Sequence, residues 1–314
     1  MARQGIWLVG GLALFGLLPL FGDAYTLRLA TFACMYAVMA VSWHVIGGLA
    51  GYPSFATAAF FGLGAYAGGI VLAKGAPLLA AMLLAGVIAF TGAMVLGAVL
   101  LRMRGHYFAI ASLAVAEVLR EVTNSATELT GGGMGLNIPL GAVGADGIMG
   151  QARFFMWAMW ALLMLTVIVV LWVERSKLGF GLTCIRQNEA AADMIGVNAT
   201  LYKSLAFALS GVFVAMAGTL YAAWVFYIDP SDVYDILHSV KPIVMALLGG
   251  LGSTVGAVLG AFLFLAVEEA VWRNYLQVHS AVLGLLIVLL LLFLPHGVIS
   301  IRRRFRPTER PSHV

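Results

Sequence analysis

The sequence has little charge. Charged residues make up 10% of its 314 residues, whereas hydrophobic residues make up 62%. A water-soluble domain of this length does not combine so few charges with a mean hydropathy of +1.00, so the composition excludes a soluble globular protein. Cysteine is also scarce, and because Cys34 and Cys184 are too few for a disulfide scaffold, we expect two free thiols. The composition predicts a polytopic membrane protein.

The sequence also lacks the motifs of catalysis. It contains no nucleophile paired with a base, no metal-ligand cluster and no dinucleotide fingerprint at a useful spacing. A Walker-type phosphate loop is missing too, so the chain has no ATP site of its own. The net charge of +4 requires no nucleic acid, because most of it comes from arginines behind the last apolar segment. We therefore predict no enzyme, no catalytic residue, no cofactor, no metal and no nucleic-acid partner.

What the sequence does contain is a series of apolar segments. A membrane-crossing helix needs roughly 17 to 25 residues, and ten segments are long enough to cross a membrane or to enter it part of the way. They lie at residues 6–21, 29–47, 54–73, 77–101, 107–123, 154–173, 204–228, 239–250, 254–271 and 281–299. We predict an all-α polytopic membrane protein with about ten transmembrane or partly spanning helices in one domain, residues 1–314.

The basic residues predict the orientation. With a cytosolic N-terminus and ten crossings, most Lys and Arg residues fall in the cytosol, including those of the segment 174–203 and of the basic tail 300–314. Both termini are then cytosolic, and residues 123–153 form the main external loop. Residues 1–24 also resemble a cleaved signal peptide, but a retained first helix gives the even number of crossings, so we favour retention.

Two glycine-containing interruptions indicate broken helices. The first lies at Gly47–Ser54 and the second at Gly249–Ser253. The second break argues against one long helix over residues 239–271, and therefore against a count of nine crossings. Irregular backbone within a membrane is tolerated only where protein or a water-filled cavity surrounds it, so such breaks point to a transport path. The candidate path residues there are Gly51, Ser54, Gly249, Gly250 and Gly252.

The fifth apolar segment adds two candidates. Glu117 lies about 15 Å along a helix from Tyr107, at 1.5 Å per residue, which would bring a charge near the middle of the membrane. Such a charge tends to face a cavity or a partner. Because Arg120 and Glu121 share its helix face, a structural ion pair is the favoured interpretation, and a path role for Tyr107 and Glu117 is the alternative.

The longest charged interruption is the segment 174–203. Its part from Arg186 to Gly196 suits a short helix ended by glycine. It is either a solvated loop or a cytosolic surface for a separate ATPase, to which Arg186 and Glu189 could form charge-assisted bonds. A second polar stretch, from Ile228 to Lys241, carries three aspartates that either dock a soluble partner or are simply hydrated.

Four sequence blocks together carry a family resemblance. They are Gly48–Tyr66, Leu101–Arg120 with Leu129–Leu136, Ile185–Lys203 continuing into Ala206–Ala222, and Met245–Ala261. Through them the chain resembles the LivM-type permeases of the branched-chain amino acid ABC importers, a hydrophobic amino acid uptake family, from about Gly48 to Pro295.

The resemblance implies an inner-membrane permease that has a cytosolic coupling helix. It also implies a LivH-type sister permease as heterodimer partner, two ATP-binding cassette subunits and a periplasmic substrate-binding protein. The positions that match the family's coupling loop are Arg186, Asn188, Glu189, Ala190, Ala191 and Gly196.

The chain also departs from the family pattern. Members usually have Gly-Gln-x-Ser-x-Gly near the first break, where this chain has Gly51–Ala56, and Ala257 replaces a common proline. The substrate therefore stays open among branched-chain and other amino acids, amides, urea and aromatic acids. A gradient-driven transporter or channel and a membrane enzyme remain as alternative functions, and dependence on ATP separates the first of these from an ABC permease.

Overall fold

The computed structural model describes residues 2–103, 105–139, 147–274 and 284. Apart from residue 284, the tenth predicted segment and the basic tail therefore lie outside the described residues. The α-helices of the described chain are α1 (Ala2–Phe15), α2 (Ala24–Trp43), α3 (Thr57–Ala73), α4 (Leu78–Leu100), α5 (His106–Ser125), α6 (Thr127–Thr130), α7 (Gly147–Arg175), α8 (Lys177–Gln187), α9 (Glu189–Met194), α10 (Ala199–Val225), α11 (Pro230–Val233), α12 (Leu237–Gly249) and α13 (Thr254–Asn274). Short 3₁₀ turns lie at Leu18–Leu20 and Gly132–Met134, and a π-helix, His44–Leu49, continues α2.

Each of the first nine predicted apolar segments coincides with a helix. Within the described ranges, five helices are long and apolar enough to cross a membrane: Ala24–Leu49, Leu78–Leu100, Gly147–Arg175, Ala199–Val225 and Thr254–Arg273. Two shorter apolar stretches, Leu8–Leu20 and Thr57–Ala73, accompany them. The all-α, polytopic membrane fold is confirmed, while ten crossings and cytosolic termini stay predictions.

Helices α2, α3 and α10 form the core of the bundle. Along α2, the residues from Ala33 to Trp43 are buried without exception. Helix α10 contacts α3 backbone to backbone, because a Cβ atom at Gly64 would overlap the main chain of Ala215, and one at Gly218 would overlap the carbonyl of Phe61. In lipid, where apolar surface gains little by leaving the solvent, such close approach through small residues is what holds helices together.

Helix α4 packs against α10, and also contacts α3, and a row of small residues lies on its buried face. The row has a spacing of four, which keeps its members on one helix face, and all of them are buried: Ala81, Ala85, Ala89, Ala93 and Gly97. We call this set the α4 row. The opposite face carries exposed apolar side chains, among them Leu79, Val87 and Val95. Helix α4 is thus an edge helix whose outer surface suits lipid.

Two short strands pair at the end of the bundle that is remote from α8 and α9. They join the segment after α5 to the segment after α10. Strand β1 (Leu136–Asn137) pairs antiparallel with β2 (Tyr227–Ile228). The predicted external loop 123–153 is therefore fastened to the start of the acidic stretch. The aspartates of that stretch make local contacts: Asp229 caps α11, Asp232 accepts a hydrogen bond from Tyr221, and Asp235 accepts one from the amide of Leu237.

Candidate functional site

Both helix interruptions predicted from the glycines are present. After the π-helix His44–Leu49 the chain is irregular until α3 begins at Thr57. Helix α12 ends at Gly249, and α13 begins at Thr254. Gly250 and Gly252 between them have φ values of 112° and 99°, a region that side chains disfavour. The sequence therefore located the two breaks correctly.

The first break packs against three helices around Ser54 and Phe55, while Gly51 and Pro53 are exposed. The indole Nε1 of Trp43 donates to the carbonyl of Ser54 at 2.7 Å. The hydroxyl of Ser112 on α5 accepts from the amide of Phe55 at 2.8 Å, and the hydroxyl of Ser239 on α12 donates to the carbonyl of Phe55 at 2.6 Å. Three helices thus satisfy the backbone groups that the break leaves unpaired, as a buried irregular segment requires.

The second break is a close crossing of α12 and α13. A Cβ atom at Gly249 would overlap the carbonyl of Gly256, and one at Gly260 would overlap the carbonyl of Met245. Gly256 and Gly260 therefore serve as packing positions. At Gly252, just before α13, an added Cβ would meet no heavy atom within 4 Å. Its positive φ therefore explains this glycine, which allows the backbone to turn.

The polar segment 174–203 folds into two helices, where the sequence predicted one. Asn188 has an extended backbone, with φ −159°, and its side chain caps α9 by accepting from the amides of Ala190 and Ala191. The predicted glycine stop is present, since Gly196 has φ 83° and its amide bonds to the carbonyl of Asp193, while Val197 bonds back to Ala192. These two bonds form a Schellman motif. Helix α8, whose two glycines hide its helical pattern, was not predicted.

Glu174, in the last turn of α7, connects the polar segment to both breaks. Its Oε1 lies 3.2 Å from Nε2 of His44 in the π-helix. The same oxygen accepts from Thr254, at 3.2 Å from the amide and 2.6 Å from the hydroxyl. Because Thr254 is the first residue of α13, one carboxylate binds both the π-helix that leads into the first break and the helix that follows the second.

Arg186 makes a second connection to the first break. Its Nη1 donates to the carbonyl of Gly48 at 2.6 Å. Gly51, with φ 76°, passes close to the stem of this arginine, since an added Cβ would lie 2.9 Å from Cγ of Arg186. Arg186 and Gly51, predicted separately as coupling and path residues, are therefore in contact.

A buried lysine makes the third connection. The side chain of Lys203 is 3% exposed, and its Nζ lies 2.7 Å from Oε1 of Glu189. Nζ also donates to the hydroxyl of Tyr52 at 3.0 Å and to the carbonyl of Leu101 at 3.2 Å. The Tyr52 hydroxyl in turn donates to Oε2 of Glu189 at 3.0 Å. The ammonium group, the carboxylate and the phenol thus form a closed triangle.

The predicted coupling residues consequently differ in what they contact. Arg186 and Glu189 bind within the chain to the first break and its neighbours, and Asn188 and Gly196 define the two ends of α9. Ala190 lies on the exposed side with Met194 and Ile195, which are 82% and 64% exposed, whereas Ala191 is half-buried. The outward surface of α9 therefore combines these apolar side chains with one exposed charge, Asp193, while Glu189 turns inward to Lys203.

Helix α5 presents an open face. Only Phe108, Ser112, Ala116 and Thr123 of this helix are buried, and Tyr107 is 76% exposed. The predicted ion pair between Glu117 and Arg120 is present, with the glutamate side chain 65% exposed. Tyr107 and Glu117 thus lie on the exposed face, while the first break contacts the buried face through Ser112. The structure does not bring all seven predicted path residues together.

Several side chains of the site were not among the predicted ones, and the titratable ones among them are His44, Tyr52, Glu174 and Lys203. A sequence signal existed for two of them, because Glu174 and Lys203 are the charges closest to the two apolar helices that flank the polar segment. Their partners lie far away along the chain, however. The pairing of Glu174 with Thr254 across 80 residues follows only from the fold.

The two broken helices, both bonded to the polar segment, lie within a part of the chain whose sequence matches a known family. Residues 25–294 match the family described as branched-chain amino acid transport system, permease component. The chain belongs to this family. It is therefore a transport permease component and a multi-pass membrane protein.

The chain is similar to several proteins named as transport permeases. It is 27% identical to the high-affinity branched-chain amino acid transport system permease protein LivM of Escherichia coli K12, with 96% of this chain and 76% of the relative covered. It is 28% identical to LivH of the same organism over 48% of this chain and 47% of the relative. The autoinducer 2 import system permease protein LsrC of Yersinia enterocolitica is 24% identical over 41% of this chain and 39% of the relative. No solved structure gives a significant match to the chain.

Proposed function

We propose that the chain is the membrane-spanning subunit of an ABC importer for branched-chain or related amino acids. It would lie in the bacterial inner membrane with ten crossings and cytosolic termini, and would receive its substrate from a periplasmic binding protein. The names of its LivM and LivH relatives support the substrate class. The LsrC relative, an autoinducer 2 import permease, supports keeping the wider substrate range open.

The observation that carries this proposal is the construction of α9. It is a short helix, capped at both ends, whose exposed side carries Ala190, Met194 and the charge of Asp193, and whose inner side connects to the first break through Glu189 and Tyr52. Because the sequence lacks a phosphate loop, the energy of ATP must enter through contact with a separate subunit. An element of this construction suits that contact, with Ala190, Met194 and Ile195 facing the ATPase.

The exposed face of α5 supports a binding surface there for the proposed sister permease. A carboxylate that faces lipid is costly, and ionisable residues within membranes normally face a partner or water. The α5 face carries Glu117 and Glu121 beside exposed Tyr107 and Val118. We assign this face to a LivH-type sister permease, with the translocation path between the two chains. The two breaks, with Gly51, Ser54, Gly249, Gly250 and Gly252, would form the cytosolic end of that path.

Reconstitution tests the function. The permease, its sister and two ATPase subunits are placed in liposomes with ATP inside, and the binding protein carries labelled leucine, isoleucine or valine outside. We expect uptake that requires both ATP and the binding protein and that persists when ion gradients are collapsed with an ionophore. Uptake without ATP that disappears with the gradients would instead establish the gradient-driven alternative.

Cysteine cross-linking tests the α5 face. Val118→Cys replaces a side chain that is 60% exposed on α5, and Val95→Cys replaces one that is 69% exposed on the outer face of α4. We expect the first variant to form a cross-link to the sister permease in native membranes and the second to form none. Equal cross-linking of both variants, or of neither, would contradict the assignment of this face.

A further inference from the structure

We propose that Lys203, Tyr52 and Glu189 form a latch that passes movement of α9 to the first break and to α5. The inference rests on the proposed function, because it assumes that an ATPase moves α9. It concerns a different step, however. Docking of the ATPase requires only the outer surface of α9, whereas the latch acts on the inner side.

The contacts of Lys203 make the three residues move as one unit. Its Nζ is bound by Oε1 of Glu189 at 2.7 Å and by the Tyr52 hydroxyl at 3.0 Å, and it lies 4.7 Å from the centre of the Tyr52 ring. A buried ammonium group that loses its carboxylate is strongly disfavoured. When α9 shifts, Glu189 therefore cannot leave Lys203 behind, and Tyr52, which bonds to both, is displaced with them.

Tyr52 carries the displacement into the membrane region. It belongs to the irregular part of the first break, two residues before Ser54. Its ring packs edge to face on Phe108 of α5, with 5.5 Å between the ring centres. Phe108 lies on the buried face of α5, opposite the exposed face that carries Tyr107 and Glu117. A continuous set of contacts thus runs from α9 to the helix that we assign to the translocation path.

The latch is separate from the contacts that attach the polar segment to the bundle. Glu174 binds Thr254, and Arg186 binds the carbonyl of Gly48, and neither connection includes a latch residue. Loss of one latch contact therefore leaves the segment attached by the other two connections. This separation predicts a distinct defect, in which the ATPase still binds and hydrolyses ATP while transport falls.

The first test removes only the bridging hydroxyl. Tyr52→Phe keeps the ring on Phe108 and the ion pair between Lys203 and Glu189. In the reconstituted complex we expect the amount of amino acid taken up per ATP hydrolysed to fall about fivefold, the factor that corresponds to one hydrogen bond, with ATPase binding unchanged. Tyr202→Phe is the control, since Tyr202 lies beside Lys203 and outside the latch; it should keep the wild-type ratio.

The second test exchanges the charges. Glu189→Lys alone places two cations in the triangle, and Lys203→Glu alone places two carboxylates there, so each should lose uptake while the ATPase stays bound. The double variant Glu189→Lys with Lys203→Glu restores an ion pair and should recover most of the uptake. If the ion pair only stabilised the fold, the single variants would lower the amount of permease in the membrane, which is measured by immunoblotting. The ratio of uptake to ATP hydrolysis would then stay unchanged.

The outcomes separate the two proposals. If the unmodified complex shows no ATP-dependent uptake, the proposed function is wrong and the latch is wrong with it. If an active complex keeps its wild-type ratio of uptake to hydrolysis in Tyr52→Phe and in both single charge variants, the latch alone is wrong. The latch is also wrong if Glu189→Lys releases the ATPase and the double variant does not restore transport, because Glu189 would then be a docking residue.

Discussion

At the scale of single residues, Gly249 shows how one position determines a helix crossing. It ends α12 at the point where the carbonyl of Gly256 in α13 comes closest, and an added Cβ would occupy the space of that carbonyl. The sequence indicated that the helix breaks here, because three glycines lie within four residues. It could not indicate which of them is a steric requirement, since that depends on the position of α13.

We therefore expect Gly249→Ala to destabilise the permease by about 1 to 3 kcal/mol, the range for inserting a methyl group into a close-packed site. Gly92→Ala in α4 is the matched control, because an added Cβ there meets nothing within 4 Å and alanine favours a helix more than glycine does. Thermal unfolding in detergent, followed by the amount of folded protein, measures both variants. Equal midpoints for Gly249→Ala and the wild type would contradict the overlap.

Lys203 and Glu174 mark the limit of prediction at this scale. Each is visible in the sequence as a charge beside an apolar helix, and charges in such positions usually reach the membrane surface. Both are instead held by partners on other elements: Tyr52 and Leu101 for Lys203, and His44 and Thr254 for Glu174. The sequence cannot rank these partners, because a hydrogen bond between distant residues exists only once the helices are arranged.

At the scale of elements, the sequence predicted α9 better than α8. The glycine stop and the alanines of α9 are local signals, and they follow from propensity and capping. Helix α8 begins at a serine cap and contains Gly179 and Gly181, which weaken its helical pattern. Gly179 packs against the main chain of Glu174, and Gly181 against the ring of Tyr202. Both glycines thus allow close packing, which is information that the fold supplies.

The end of α9 allows a test of its backbone alone. Gly196 has φ 83° and no heavy atom within 4 Å of an added Cβ, so a side chain there would meet strain rather than a clash. Gly196→Val should weaken retention of the ATPase and reduce ATP-driven uptake, with a cost of roughly 1 to 3 kcal/mol for a non-glycine residue in this conformation. Gly196→Asn should retain most function, because asparagine adopts left-handed backbone more readily.

Co-purification of the ATPase and uptake in the same vesicles measure the two Gly196 variants together. Membrane abundance, compared by immunoblotting, serves as the reference for both. If valine and asparagine behave alike, the left-handed end of α9 does not matter for coupling.

At the scale of the whole molecule, the elements that the sequence singled out separately converge at one end. The polar segment, the start of the first break and the end of the second are joined through Glu174, Arg186 and Lys203. The sequence predicted each element from its own composition, and nine apolar segments with correct approximate bounds. Their convergence depends on the direction and packing of α2, α7, α10 and α13, which no local pattern encodes.

The orientation of this end can be measured with the native thiols. Cys184 in α8 is half-buried, whereas Cys34 in α2 is fully buried and should not react in the folded protein. If the polar segment is cytosolic, a membrane-impermeant maleimide should modify Cys184 only after the membrane has been opened. Met134→Cys, at an 87% exposed position near β1, should react in intact cells. Labelling of Cys184 from outside would reverse the predicted topology.

The α4 row has a consequence for how this helix diverges among related transporters. Any residue larger than alanine in the row would push α4 away from α10, whereas we expect the exposed outer face to meet lipid, which accepts any apolar shape. Substitutions along α4 should therefore accumulate on the outer face alone, with Leu, Val, Ile and Phe exchanging freely there. An alignment of relatives would then show variable residues on the outer face of α4 and small, invariant residues at every fourth position of the α4 row.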